Sequence, residues 1–471
     1  MMKFTKMMAA ATMTTVLGLM LAACGTNNNA ENGAAVGNGE GTEVANQEQV
    51  VIRYANWNLG TEEENNLERR MIQAFMDEHP HITVEIDDSF VGIPWNEALN
   101  IAASTGDLPD VFASDVLTND IMNGWVMDLS AIAAGNEEFM ALPDATREAV
   151  TINENIYAIP MAQFMLGFYV NRTLFDDLNL NAPEFGFSVD EFFDLVRATT
   201  DLNRPSIGVD NLADIVGWYP GAMNPNLGFY AYDNGTFHID SPEMREGLRL
   251  AGELGQNGFV WSGLSEDQRE SAFGTTDSTD AFRNGQMAFW WNGTWMNGQF
   301  ADQLTFDWDF VGAPGGRSVL AMDVLAVAAT SEHPEEAFLF AQWMGFGNEG
   351  FTSRMEIAQE NNIEINSLPV TTNATVLEKY WEMVNVPGVK AAYEHLDSAM
   401  VEGRRFVPGF VEARWTAPTG ISIPGTDYDN ATIGQIIDHS IIGNVNFADH
   451  AANIHNLAQE AHNRAMNLIQ E

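Results

Sequence analysis

Val50-Val51-Ile52-Arg53-Tyr54-Ala55, then Thr61 to His79, then Ile82-Thr83-Val84-Glu85-Ile86, is the stretch on which the fold turns. The first six residues, rich in β-branched side chains, read as a strand. Between Thr61 and His79, the residues Leu67, Met71, Ile72, Phe75 and Met76 fall at helical spacing and so share one face. Glu62, Glu63 and Glu64 come just before them, in a first turn where the helix dipole favours acids. Pro80 closes the helix, and residues 82–86 alternate like a second strand. A further helix is predicted from Pro94 to Thr105, stopped by Gly106, and a short strand over Asp110-Val111-Phe112-Ala113. Strand, helix, strand, helix, strand implies an α/β fold with a mostly parallel sheet, since parallel neighbours need crossover helices.

The same texture continues downstream. Leu166 to Val170 is a short apolar strand, and Ser188-Val189-Asp190-Glu191 is a capping box opening a helix to Thr199. Gly217-Trp218-Tyr219-Pro220 reads as a loop. Ser241-Pro242 starts a helix with Gly255 as its stop, because proline tolerates the first helical position. Residues 279–284 form a short helix, 286–291 and 324–329 strands, and 334–344 and 448–469 helices.

The N-terminus has a different character. Lys3 and Lys6 precede an uncharged run, Met7 to Ala23, too short to span a membrane comfortably and laid out like a secretory signal. It ends in Leu21-Ala22-Ala23-Cys24, which resembles a bacterial lipobox, and Cys24 is the one cysteine of the chain. The expectation is a signal peptide over residues 1–23, a lipid on Cys24, and a flexible linker over 24–49, which has almost nothing to bury.

Acids outnumber bases 66 to 21 in the 471 residues, a formal charge of −45, so nucleic acid is a poor partner. A single cysteine excludes an internal disulfide and a cysteine-rich zinc site. No phosphate-binding loop, His-Glu-x-x-His or Gly-x-Ser-x-Gly is present. His455 and His462 share a helical face and read as surface residues rather than ligands. The aromatic inventory is what stands out: twelve Trp, nine Tyr and 28 Phe. Several tryptophans occupy polar, loop-like settings: Asn56-Trp57-Asn58, Trp218, Trp261, Trp381, Trp415, and Trp290-Trp291-Asn292-Gly293-Thr294-Trp295. An indole face complements the C–H face of a sugar ring, with amides, carboxylates and arginines serving the hydroxyl rim. Trp290, within a strand, is assigned to the core; Trp57 and Trp295, each beside a turn after a strand, to a pocket.

Five blocks, in order, resemble the carbohydrate-type extracellular solute-binding proteins, the receptors of ABC importers to which maltose-binding proteins belong. They are Glu78-His79-Pro80-His81-Ile82-Thr83-Val84, and Ala102-Ala103-Ser104-Thr105-Gly106-Asp107-Leu108-Pro109-Asp110-Val111. Tyr157-Ala158-Ile159-Pro160 leads to Phe168-Tyr169-Val170-Asn171, and Phe282-Arg283-Asn284-Gly285 to Gly293-Thr294-Trp295. The last is Ala313-Pro314-Gly315-Gly316 with His333-Pro334-Glu335-Glu336-Ala337.

The resemblance implies a periplasmic-binding-protein-like fold: two α/β lobes with discontinuous, mostly parallel sheets joined by a hinge, residues 50–163 plus 318–368 and 164–317 plus 369–471. It implies a sugar ligand held between the lobes, ABC permease subunits as partners, no cofactor, no catalysis and a monomer. Trp295 resembles the sugar-stacking tryptophan of the second lobe. Asp115 falls where a rim carboxylate often lies, Gln163 and Phe164 at the first crossing, and Trp57 and Asn58 in the loop after the first strand. Asp323, Trp218, Trp261, Trp381 and Arg414 are further candidates for ligand contact. A surface-anchored carbohydrate-active hydrolase or lyase is the alternative consistent with location, aromatics and abundant acids.

Overall fold

The computed structural model describes residues 48–470; the expected signal peptide, Cys24 and nearly all of the linker lie outside them. Nine strands form one continuous sheet. In chain order they are β1 (Val50–Ala55), β2 (Ile82–Ile86), β3 (Val111–Ser114), β4 (Ile159–Asn171), β5 (Ile207–Val209), β6 (Met287–Gly293), β7 (Trp308–Gly312), β8 (Val319–Val327) and β9 (Met400–Val401). The order across the sheet is β2-β1-β3-β8-β4-β6-β5, with β7 also on β4 and β9 on β8.

Two expectations change here. The sheet is mixed rather than mostly parallel: β1–β2, β1–β3, β5–β6 and β8–β9 are parallel, whereas β3–β8, β4–β8, β4–β6 and β4–β7 are antiparallel. It is also continuous rather than split in two. β4, predicted as a five-residue strand, runs 13 residues and contributes to three cores. Ile159, Met161 and Ala162 enter the core that gathers residues 50–162 and 322–358. Farther along, Phe168 and Val170 enter the core of residues 168–319 and 400–461. Met165 and Tyr169, on the opposite face, enter a third core with Trp290, Phe310, Met355 and Tyr380. β8 does the same, with Val319 in one core and Val324 in another. Beyond β9, Phe406 returns to the first core.

Local structure follows the capping signals, with instructive departures. The first helix is Leu67–Glu78, starting later than its glutamates suggest, because the Asn66 side chain accepts the Arg69 amide and caps it there. Glu64 instead accepts from the Thr61 amide in the preceding turn. Trp95–Thr105 ends at Gly106 with φ 71°, the left-handed cap that glycine adopts freely. The Ser188 capping box is present. Gly217–Pro220 is no loop: it lies inside the apolar helix Ile215–Met223, which is buried from Ile215 to Gly221, so core packing overrides the turn signal. His462 is likewise buried, its Nδ1 2.8 Å from the Pro408 carbonyl oxygen.

Asp120 and Asp210 are among the carboxylates that sit in this interior. Asp120 accepts the Ser114 hydroxyl at 2.5 Å, and Asp210 accepts from the Trp291 amide. Loss of hydration pushes both up to about 7. Between about pH 4 and pH 7 the unfolded chain has lost these protons while the folded chain keeps them, so stability falls as pH rises through that window. Asp120→Asn should therefore flatten this part of the profile and raise the melting temperature more at pH 8 than at pH 4. Thermal melts of both proteins across that range check it, and equal shifts at both pH values count against it.

Candidate binding cleft

The site is built on the crossing strands. Phe164 lies midway along β4, opposite Ala321 on β8; farther along β8 the ladder slips between Asp323, which faces Ala162, and Val324, which faces Pro160. Such an irregularity re-aims a side chain, and Asp323 lines two adjoining cavities together with Phe164 and Trp295. The first, about 570 Å3, is further lined by Asp214, Trp291, Glu402, Arg404, Arg405, Arg414 and Trp415. The second, about 350 Å3, is lined by Trp57, Asn58, Asn66, Glu68, Arg354 and the loop Ile363–Ser367.

Trp295 follows β6 directly. Its ring lies so close over Gly293 that a Cβ there would sit 2.2 Å from it, and Phe164 meets it edge-on at 5.5 Å. Thr294, fully buried, accepts the Met165 amide and pins the turn to β4. The indole is thereby held while 41% of the residue stays exposed. Trp57 is fixed in the same manner, edge-on to Trp95, whose Nε1 donates to the Ala113 carbonyl.

Charges in the first cavity form a connected set. Arg405 pairs with Asp323 at 2.8 Å, Arg404 with Asp115 at 2.6 Å, and Arg405 also reaches Trp57 face-on at 6.0 Å. Arg414 lies between the Tyr230 and Trp415 rings, 5.5 and 5.4 Å away, and its buried Nη1 has no hydrogen-bond partner. Asn58 Oδ1 and Arg405 Nε are buried and unpartnered as well. Burial raises the carboxyls of Asp214, Glu402 and Asp323 above their ordinary range, with Arg414 opposing this at Asp214 and Arg405 at Asp323. Arg414 sits on a π-turn, Glu412–Thr416, beside Tyr230 and Ala231, whose φ values of 56° and 53° are left-handed. Irregularities of both kinds concentrate at functional sites.

Of the residues selected from sequence, Trp57, Asn58, Phe164, Trp295, Asp323 and Arg414 line these cavities. Asp115 does not; it is occupied by Arg404 and Arg405. Gln163 is buried and donates to the Pro369 carbonyl, tying β4 to the chain after Ser367. Trp218 and Trp261, 1% and 3% exposed, are core residues with no face to offer. Trp381 packs between Tyr380 and Tyr393, away from both cavities. Glu402, Arg404 and Arg405 escaped selection, although two adjacent arginines in so acidic a chain are a compositional signal; Trp415, noted for its polar setting, also lines the larger of the two cavities. A larger hollow, about 680 Å3, is bordered by Asp144, Tyr232, Asp397 and His462 and carries no tryptophan. Among the described residues no group of three or more metal-ligating side chains occurs, and no helix is long and apolar enough to cross a membrane.

A mixed sheet shared by several cores, with a cleft on its crossing strands, is the architecture of periplasmic-binding-protein-like receptors. Residues 70–387 match the family of bacterial extracellular solute-binding proteins, and the chain belongs to that family. It is 23% identical over 326 residues to a multiple sugar-binding protein of Streptococcus mutans, spanning 63% of this chain and 71% of that one. In fold it resembles an ABC substrate-binding protein of Listeria monocytogenes solved with cycloalternan, with TM-score 0.62, 18% identity, and 90% and 98% of the two chains covered. It also resembles UgpB of Mycobacterium tuberculosis solved with glycerophosphocholine, with TM-score 0.61, 17% identity, and 88% and 98% covered.

Proposed function

We propose that this protein captures a sugar or oligosaccharide outside the cell and delivers it, chemically unchanged, to the permease of an ABC importer. In this reading it acts as a monomer held to the outer face of the membrane by a lipid on Cys24, with residues 24–49 as tether. Residues 50–163 with 318–368 form one lobe, and 164–317 with 369–471 the other. A ligand touching both lobes favours the closed arrangement by its differential contacts, and the permease reads that arrangement. The observation that carries the reading is the shared floor of the two cavities. There an exposed, rigidly held indole (Trp295), a phenyl ring (Phe164) and a carboxylate (Asp323) stand together on the crossing strands. Apolar faces next to hydrogen-bonding groups match a polyhydroxylated ring. The sugar-binding relative supports the choice of ligand.

The test is a calorimetric and tryptophan-fluorescence screen against mono- and oligosaccharides, with glycerophosphodiesters as the contrasting class. Saturable sugar binding with a fluorescence change and no turnover is expected. Binding confined to the diesters, or hydrolysis of a bound glycan, would refute it.

A further inference from the structure

Among the described residues three tryptophans are more exposed than the rest: Trp57 at 38%, Trp295 at 41% and Trp415 at 38%. The others are buried or partly buried. Chance would scatter exposed indoles over the surface, but all three line the two adjoining cavities. Trp57 belongs to the smaller cavity, Trp415 to the larger, and Trp295 to both. Each is braced by a neighbour that fixes its plane: Trp95 for Trp57, Phe164 for Trp295, Phe410 for Trp415. Exposing braced indoles costs hydrophobic stabilisation that burial would supply, and that cost is accounted for where each indole receives an apolar face. Each cavity alone already has a volume in the ~300–1,000 Å3 range that encloses a whole small ligand.

We infer that the cleft takes a linear oligosaccharide of at least three rings, one against each of Trp57, Trp295 and Trp415. The inference rests on the sugar-binding reading and adds the length of the ligand to it. The polar groups differ along the path. The Trp57 end offers the amides of Asn58 and Asn366, with Glu364 and the mutually paired Glu68 and Arg354 beside them. The Trp415 end offers Asp214, Glu402 and the unpartnered Nη1 of Arg414. An end ring with free hydroxyls around its rim is therefore assigned to the Trp415 side, where the unpartnered Arg414 Nη1 and the carboxyls of Asp214 and Glu402 stand together, and the chain continues over Trp295 toward the asparagines.

The experiment is calorimetry of the full-length protein in detergent with mono-, di-, tri- and tetrasaccharides of the gluco, xylo and galacto series, repeated with Trp57→Ala and Trp415→Ala. Within the series that binds, affinity should rise at least tenfold from one ring to three and level off beyond. Each variant should weaken trisaccharide binding roughly 5- to 50-fold while keeping the wild-type melting temperature. Only one of the two should alter binding of the monosaccharide. A monosaccharide binding as tightly as its trimer, or trisaccharide affinity untouched by both variants, overturns the three-ring cleft and leaves the sugar reading standing. Absence of binding by every series, with a non-carbohydrate solute bound instead, overturns both.

Discussion

Trp295→Ala weakens capture of the ligand by about 1–3 kcal/mol, the loss expected when a central stacked aromatic is truncated. The effect should be confined to binding. The indole contributes little to the core, since 41% of the residue is exposed and its supports, Gly293 and the buried Thr294, remain in place. The melting temperature of the free protein should stay within a degree or two, and the ligand-induced fluorescence change should shrink with the removed indole. Calorimetry and a thermal melt on the same preparation separate the two quantities. An unchanged dissociation constant would take Trp295 out of the site and, with it, the shared floor on which the proposed function rests.

Glu68→Ala is expected to destabilise the fold by about 3–5 kcal/mol, because removing one member of a buried ion pair leaves its partner charged and without compensation. Arg354 is 5% exposed, donates to Glu68 through both terminal nitrogens, and gives a further bond to the Met344 carbonyl at 3.1 Å. The pair joins the first helix, Leu67–Glu78, to the helix Asn348–Asn361, and those segments lie far apart in sequence. Glu68→Leu combined with Arg354→Met should recover most of the loss, since apolar replacements of similar size carry no desolvation penalty. Denaturant titrations of the single and double variants measure both quantities. A Glu68→Ala loss under 1 kcal/mol would mean that water reaches the pair. Both residues border the smaller cavity, so the double variant also tests whether rigidity there matters for affinity.

The candidate site was legible in the sequence to differing degrees. Trp57 and Trp295 stand just past strand ends, where a strand's alternation stops and a side chain can emerge, whereas Phe164 lies midway along β4; all three line the cavities. Trp218 and Trp261 were placed by their polar or glycine-containing neighbours, yet both are buried. The misleading signal at Trp218 was Pro220, which sits inside an apolar helix. The segment from Glu402 to Trp415 carries four cleft residues that sequence reading passed over, Glu402, Arg404, Arg405 and Phe410. It lacks periodic structure, being a four-residue helix followed by a π-turn, so no local pattern marks it.

What the sequence determined by itself was the kind of most elements that carry a clear periodicity or cap, and the class of protein. Helical and strand periodicities, caps and the five family-like blocks are local properties, and local steric and capping preferences suffice to set them. The tertiary structure decided how far the crossing strands extend, the mixed direction of the sheet, and which indoles remain exposed. Those depend on contacts between residues tens to hundreds of positions apart. Burial is settled by whatever the rest of the chain brings alongside, as when Arg405 meets Asp323 and Trp57 meets Trp95.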